Sequence, residues 1–289
     1  MNMTMRKSTN SHALGAFYVL LSAICFALAG VLIKSIPWTA LSVSGARSLF
    51  AASVLYAFLR YQGKRLVLNR QVLLGAFINF SMLQTFVLST KMTTAANAIV
   101  LQFTMPAWII IGSLIFFGEK PRRPSIVACI VIFIGIGCFF CDQISLEGTW
   151  GNVVAVISGI FYAGVFMMKR IRGCDFESAA IIAFLACTVC GIPSLMQETT
   201  FTPTAIAAVV ALGVVQVGLA YVLLSKGLDT VNPLAASLIS TIEPILNPIL
   251  VALFIGETIG PLSLVGAVIV IVSATAYNVY EARLQDSDQ

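Results

Sequence analysis

Residues 98–127 read AIVLQFTMPAWIIIGSLIFFGEKPRRPSIV, and residues 236–265 read ASLISTIEPILNPILVALFIGETIGPLSLV. Laid over each other without a gap, at a shift of 138 positions, they match Ala98, Pro106, Ile111, Phe116, Gly118, Glu119, Ser125 and Val127 to Ala236, Pro244, Ile249, Phe254, Gly256, Glu257, Ser263 and Val265. Each stretch is an apolar run of helical length closed by Gly-Glu and followed by a second apolar run. A slightly different shift sets Gly15, Ser22, Ile24 and Ala27 against Gly151, Ser158, Ile160 and Ala163, with Phe26 opposite Tyr162 and Lys34 opposite Arg170. The chain is therefore internally duplicated.

Composition places both copies in lipid. Of 289 residues 59% are hydrophobic and only 10% charged, and mean hydropathy is +0.97, which leaves too little polar surface for a water-soluble fold. A bilayer core takes about 20 apolar residues per helix, so the predicted fold is an all-α integral membrane protein with room for about ten spans and no soluble domain. Apolar runs bounded by charge, Gly and Pro place them near Leu14–Ile33, Trp38–Leu59, Val72–Leu88, Ala95–Phe117, Pro124–Cys141, Trp150–Met168, Glu177–Met196, Thr204–Leu224, Leu234–Ile255 and Leu262–Tyr280. The first run follows Arg6 and Lys7 but is too long for a signal-peptide core and matches an internal span, so it is kept as a helix. The expected organisation is a tail over 1–12, one repeat over 13–143, a second over 144–280, and a tail over 281–289.

Lys and Arg fix the expected orientation. One set of connections and tails holds Arg6, Lys7, Arg60, Lys64, Arg65, Arg70, Lys120, Arg122, Arg123, Lys169, Arg170, Arg172, Lys226 and Arg283, whereas the other holds only Lys34 and Lys91. By the positive-inside rule both termini face the cytoplasm. With five spans per repeat, the second copy enters the membrane from the opposite side, giving a five-plus-five inverted repeat. Two similar halves of opposite orientation have two near-equivalent arrangements, one open to each side, which is the basis of alternating access. A scaffold role, as in a channel or a non-transporting sensor, is the alternative that duplication alone leaves open.

Other function classes find little support. The basic residues flank apolar runs instead of forming a patch with interleaved aromatics, which argues against nucleic-acid binding. The pairs Cys138/Cys141 and Cys187/Cys190 lie in apolar segments without a soluble βαβ context or a four-ligand set, so they read as small packing residues. The single His, His12, lies in the N-terminal tail, and no phosphate-cradling Gly-rich Lys motif occurs, so neither a metal centre, an ATP pump nor any other enzyme is expected, and no cofactor.

The run Thr93-Thr94-Ala95-Ala96-Asn97-Ala98 leading to Pro106 and Gly118-Glu119, with Ile242-Glu243-Pro244 leading to Gly256-Glu257 and Arg47 in the second span, resembles the EamA branch of the drug/metabolite transporter superfamily over essentially the whole chain. The resemblance implies a basket of ten helices around a central cavity formed mainly by spans 1, 3, 4, 6, 8 and 9. It also implies export of amino acids or related metabolites. More distant relatives carry nucleotide sugars or phosphorylated sugars.

An ionisable group within a span costs about 2.5–3.5 kcal/mol on insertion scales, which singles out Glu243 and Arg47. Glu243 is the candidate to bind a proton or a cationic group of the substrate, with a structural ion pair to Arg47 as the alternative. Arg47 leans structural, because span 2 is not expected to line the cavity. Pro106, Pro244 and Pro248 are hinge candidates; Pro244 and Pro248 are expected to free the carbonyls of Ser240 and Pro244 and to bend the helix beside Glu243. Further candidates on the expected cavity helices are Asn79, Gln84, Asn97, Gln102, Trp108, Tyr162, Gln216, Tyr221 and Asn247, with Phe161 beside them. Each of these equally suits a helix–helix hydrogen bond. Together Gln84, Asn97 and Gln102 could present amides to a zwitterion. Glu119 and Glu257 read as repeat-related residues at helix ends, solvated or gating. The scarcity of span cations besides Arg47 and Lys226 disfavours phosphate-rich cargo. The partners expected are a small-molecule solute, the bilayer and protons as coupling ion.

Overall fold

The computed structural model describes residues 2–93, 95–140, 148–255 and 261–287. These form helices α1 (Asn2–Phe26), α2 (Ala29–Ser35), α3 (Ala40–Tyr61), α4 (Arg70–Met92), α5 (Ala95–Gln102), α6 (Met105–Phe117), α7 (Arg123–Phe140), α8 (Thr149–Met167), α9 (Phe176–Leu195), α10 (Pro203–Ala211), α11 (Ala220–Gly227), α12 (Pro233–Ile239), α13 (Ile242–Ile255) and α14 (Pro261–Ser287), with no strand among the described residues. Polar caps start several of them: the side chains of Asn69, Asp175 and Asn232 accept from the backbone N–H groups of Val72, Ser178 and Ala235 at 2.7–2.8 Å. Gly118 ends α6 with φ +67°, a conformation that favours glycine.

Among the described residues, seven helical stretches are long and apolar enough to cross a bilayer: His12–Ser35, Ala40–Tyr61, Arg70–Met92, Asn97–Phe117, Thr149–Arg170, Phe176–Leu195 and Pro203–Gly227. Arg123–Cys138 and Val268–Tyr280 are shorter apolar helices. Helix continues into both expected tails. With no Gly or Pro before Gly15, α1 reaches back to Asn2, and α14 runs on to Ser287 through the helix formers of EARLQ.

Several spans that the sequence suggests as single helices are interrupted. The first breaks between α1 and α2 at Ala27-Leu28, the fourth between α5 and α6, and the ninth between α12 and α13. Residues Leu212–Leu219, between α10 and α11, take the wider π-helical winding.

The two halves interlock. The strongest packing joins elements from before and after residues 141–147: α3 with α9, α4 with α8, α7 with α14, and α1 with α11. Glycines permit the closest approaches. A Cβ on Gly45 of α3 would fall 2.7 Å from the Gly191 Cα of α9, and one on Gly213 would fall 2.5 Å from the Arg47 carbonyl oxygen. Backbone therefore meets backbone around Arg47, and α3, α9 and the π segment form one tightly packed platform.

Candidate functional site

Both central breaks are made by threonine. Thr104 directs its N–H (3.3 Å) and its hydroxyl (2.8 Å) to the carbonyl of Leu101. Thr241 does the same to Leu238, at 3.3 and 2.6 Å. A threonine hydroxyl bonded back to the preceding turn competes with the helical ladder and turns the chain. The prolines act differently from expectation. Pro106 and Pro244 lie in the first turns of α6 and α13, where a missing N–H costs nothing because it would have no intrahelical partner. The Ser240 carbonyl is not freed but accepts the Glu243 N–H at 2.9 Å. Pro248 lies inside α13, and its side chain is outside the described residues, as are Glu257 and Cys141.

Between the two breaks lies a cavity of about 20 Å³, room for about one water. Its wall comprises Phe26, Arg47, Met82, Leu83, Phe86, Gln102, Tyr162, Gln216, Val217, Tyr221 and Glu243. Five of the sequence candidates thus meet at one point, together with Arg47. Gln102 closes α5 and donates to the Ser158 hydroxyl at 2.8 Å, and Glu243 opens α13 with 3% of its surface exposed and no hydrogen-bond partner at Oε2. Around Tyr162 and Tyr221 the aromatic rings of Phe26, Phe103, Phe166, Phe176 and Phe184 pack within 6.4 Å, centroid to centroid, mostly edge to face.

Arg47 departs from the expectation for span 2: it lines the cavity. It is 1% exposed, donates from Nη1 to Gln216 Oε1 at 3.1 Å, and leaves Nε and Nη2 buried without an acceptor. No ion pair to Glu243 or any other described acid forms. The cause is the packing of α3 on α9 through Gly45 and Gly191, which places span 2 inside the assembly.

The remaining candidates sit elsewhere. Asn79 is buried beside the cavity and accepts from the Tyr221 hydroxyl at 2.5 Å. Gln84 is half-buried on α4, its Oε1 without a partner. Asn97 donates to Thr93 Oγ1 and Asn152 Oδ1 at 3.3 and 3.2 Å, away from Gln102, so the expected cluster of three amides does not form. Asn247 donates to the Ala27 carbonyl at 2.7 Å and thereby satisfies the α1–α2 break. Trp108 bonds back to Thr104 Oγ1 at 3.2 Å, one turn away, and Phe161 meets Phe77 edge to face.

The two ends of the molecule are built differently. At one end Lys34, in the last turn of α2, donates to the Thr93 carbonyl that follows α4 (3.0 Å). Lys91, in the last turn of α4, donates to the Ile36 carbonyl that follows α2 (2.8 Å). Each lysine caps the other's helix, where ammonium groups suit the partial negative charge. Nearby, Glu198 accepts from the Thr39 N–H at 2.8 Å; burial, the largest single influence, raises its carboxyl, but bonds from Thr39 and Ser42 and the charge of Lys91 together leave it below its ordinary value.

At the other end a vestibule of about 740 Å³ opens among Glu119, Lys120, Arg122, Lys169, Arg170 and Asp229. Arg170 pairs with Glu119 and lies over the Phe117 ring, and Lys169 pairs with Asp229 at 2.5 Å. Phe166 lines the vestibule and Tyr162, one turn earlier on α8, lines the central cavity; their rings meet at 5.1 Å. One aromatic layer separates the two spaces.

Signals for several of these residues were absent or ambiguous. Met82, Leu83 and Phe86 share the face of α4 that Asn79 begins, a helical spacing that could have marked them. Neither lysine of the clasp has any sequence signature beyond its place at a helix end.

The chain belongs to the EamA-like transporter family, which it matches over residues 13–141 and again over 149–279. It is similar to an uncharacterized transporter of Archaeoglobus fulgidus, 24% identical over 89% of this chain and 93% of that one. It also resembles the uncharacterized transporter YwfM of Bacillus subtilis, 25% identical over 51% of this chain and 52% of that one. A solved crystal structure superposes with a TM-score of 0.77 at 16% identity over 95% of this chain and 98% of the other, a likeness of fold. The protein is a multi-pass integral membrane protein of a transporter family.

Proposed function

We propose that the protein is a secondary transporter that exports an amino acid or a related small metabolite by alternating access. The observation that carries this reading is Glu243, a buried carboxylate with an unpartnered oxygen in a central cavity at a helix break. Glu243 alternates between a proton and the ammonium group of the cargo, so that loading one releases the other. Gln102, Tyr162, Gln216 and Tyr221 complete the cavity wall, and Pro106, Pro244 and Pro248 flank the breaks about which the halves exchange. In this reading ten spans form two inverted repeats, 13–143 and 144–280, between cytoplasmic tails 1–12 and 281–289 in a bacterial inner membrane. The Lys- and Arg-lined vestibule is then the cytoplasmic entrance, and the Lys34–Lys91 clasp closes the outer side.

A nucleotide-sugar carrier is disfavoured because, among the described residues, Arg47 is the one cation of a cavity wall that also carries the carboxylate of Glu243. A channel or sensor needs no saturable exchange, and that difference supplies the test. Proteoliposomes loaded with an unlabelled amino-acid pool and given external traces of labelled members should accumulate one label saturably. Absence of accumulation for every label, with folded protein, refutes the amino-acid reading, and non-saturable equilibration favours a channel.

A further inference from the structure

We propose that Arg47 is a receptor for a carboxylate: its cargo is a monocarboxylic acid with an apolar body, held by the Nε–Nη2 edge of the guanidinium. The proposal rests on the reading of the central cavity as the substrate site and adds to it the acid group that the cargo must carry. Nη1 is occupied by Gln216 Oε1, whereas Nε and Nη2 are buried and have no acceptor among the described residues. Those two nitrogens form the side-on edge of the planar guanidinium, the geometry that accepts both oxygens of a carboxylate through parallel N–H···O bonds. A buried cation lacking an acidic partner calls for an anionic ligand.

The surroundings narrow the ligand further. Among the described residues one cation and one carboxylate line the cavity, which matches a single acid group and leaves a polyanion unmatched. Phe26, Met82, Leu83, Phe86 and Val217 supply an apolar wall for the body of the solute. Arg47 itself stands on the platform locked by Gly45, Gly191 and Gly213, so its edge is held in place when the cavity widens to admit cargo. The arginine thus selects the acid, and Glu243 across the cavity selects the ammonium.

Thermal unfolding of the purified full-length protein in detergent separates the two roles. The probes are L-leucine, leucinamide (no acid group), isopentylamine (neither acid nor amide) and 4-methylpentanoate (acid without ammonium). L-Leucine and 4-methylpentanoate are expected to raise the unfolding temperature, with the amide and the amine requiring about tenfold higher concentration or more. Arg47→Gln should bring leucine and leucinamide together, and Arg47→Lys, which keeps the charge without the two-pronged edge, should fall between. Should Arg47→Gln not fold, the wild-type ratio and Arg47→Lys decide alone. Equal stabilisation by acid and amide in the wild type overturns the proposal, as does an unchanged ratio in either variant or the failure of all four probes. Stabilisation by 4-methylpentanoate without leucine keeps Arg47 as a carboxylate receptor and removes the amino-acid reading. Leucine and leucinamide acting alike does the reverse.

Discussion

The breaks at Thr104 and Thr241 have the same build and different contents. In each, a threonine returns both its N–H and its hydroxyl to a leucine carbonyl three residues back, and a helix with proline in its first turn follows. The first break contributes Gln102, a neutral amide satisfied by Ser158, and starts its next helix with the fully buried Met105. The second starts with Ile242-Glu243 and contributes a carboxylate with an unpartnered oxygen. The two breaks lie one residue out of register under the 138-position shift, since Thr104 falls against Ile242 and Thr241 against Phe103, and one of them alone carries the charge. The shared part is therefore read as the moving part, and the unshared part as the recognition chemistry.

Placing a second carboxylate at the first break should break the comparison most severely. Met105→Glu sets an ionisable group at a fully buried position within a span, with an expected cost of about 2.5–3.5 kcal/mol. Reduced yield and a lower unfolding temperature in detergent check it, and wild-type stability would show that the first break also tolerates charge. Gly191→Ala comes next, since its Cβ would lie 2.6 Å from the Gly45 Cα, and overpacking of this kind costs about 1–3 kcal/mol. Thermal unfolding measures it, and an unshifted transition would show that the platform under Arg47 yields.

Gln102→Ala removes a satisfied amide and leaves the Ser158 hydroxyl with its weaker 3.4 Å approach to the Met82 carbonyl, for an expected loss of about 1–2 kcal/mol in stability. The smallest effect is expected from Thr104→Val and Thr241→Val, each about 1 kcal/mol. Thr104→Val should cost somewhat more when measured by unfolding, because it also takes the acceptor from the Trp108 Nε1–H at 3.2 Å, and a larger cost for Thr241→Val would mean that the breaks are alike in form only.

Much of this architecture was legible in the residues. Apolar runs and the Pro and Gly-Glu matches exposed the duplication, and an isolated Glu within a span exposed Glu243. The position of the breaks was not legible, because a threonine bonding back to its own helix looks like any threonine in an apolar run. Arg47 was misplaced for a different reason: span 2 enters the cavity wall through the Gly45–Gly191 crossing, a contact between helices distant in sequence. Asn97 and Asn247 were indistinguishable from cavity amides until their partners, Asn152 and the Ala27 carbonyl, were seen.

Counterflow in proteoliposomes carrying wild type, Glu243→Gln or Gln102→Ala tests the central claim most directly, with unfolding temperatures recorded for all three. The account predicts that Glu243→Gln keeps its stability and loses accumulation by about tenfold to a hundredfold, the worth of one charge-assisted bond of about 1.5–3 kcal/mol, while Gln102→Ala stays within a few-fold of wild type. Accumulation that survives Glu243→Gln, or that falls equally in both variants, would contradict it and make the carboxylate a structural residue.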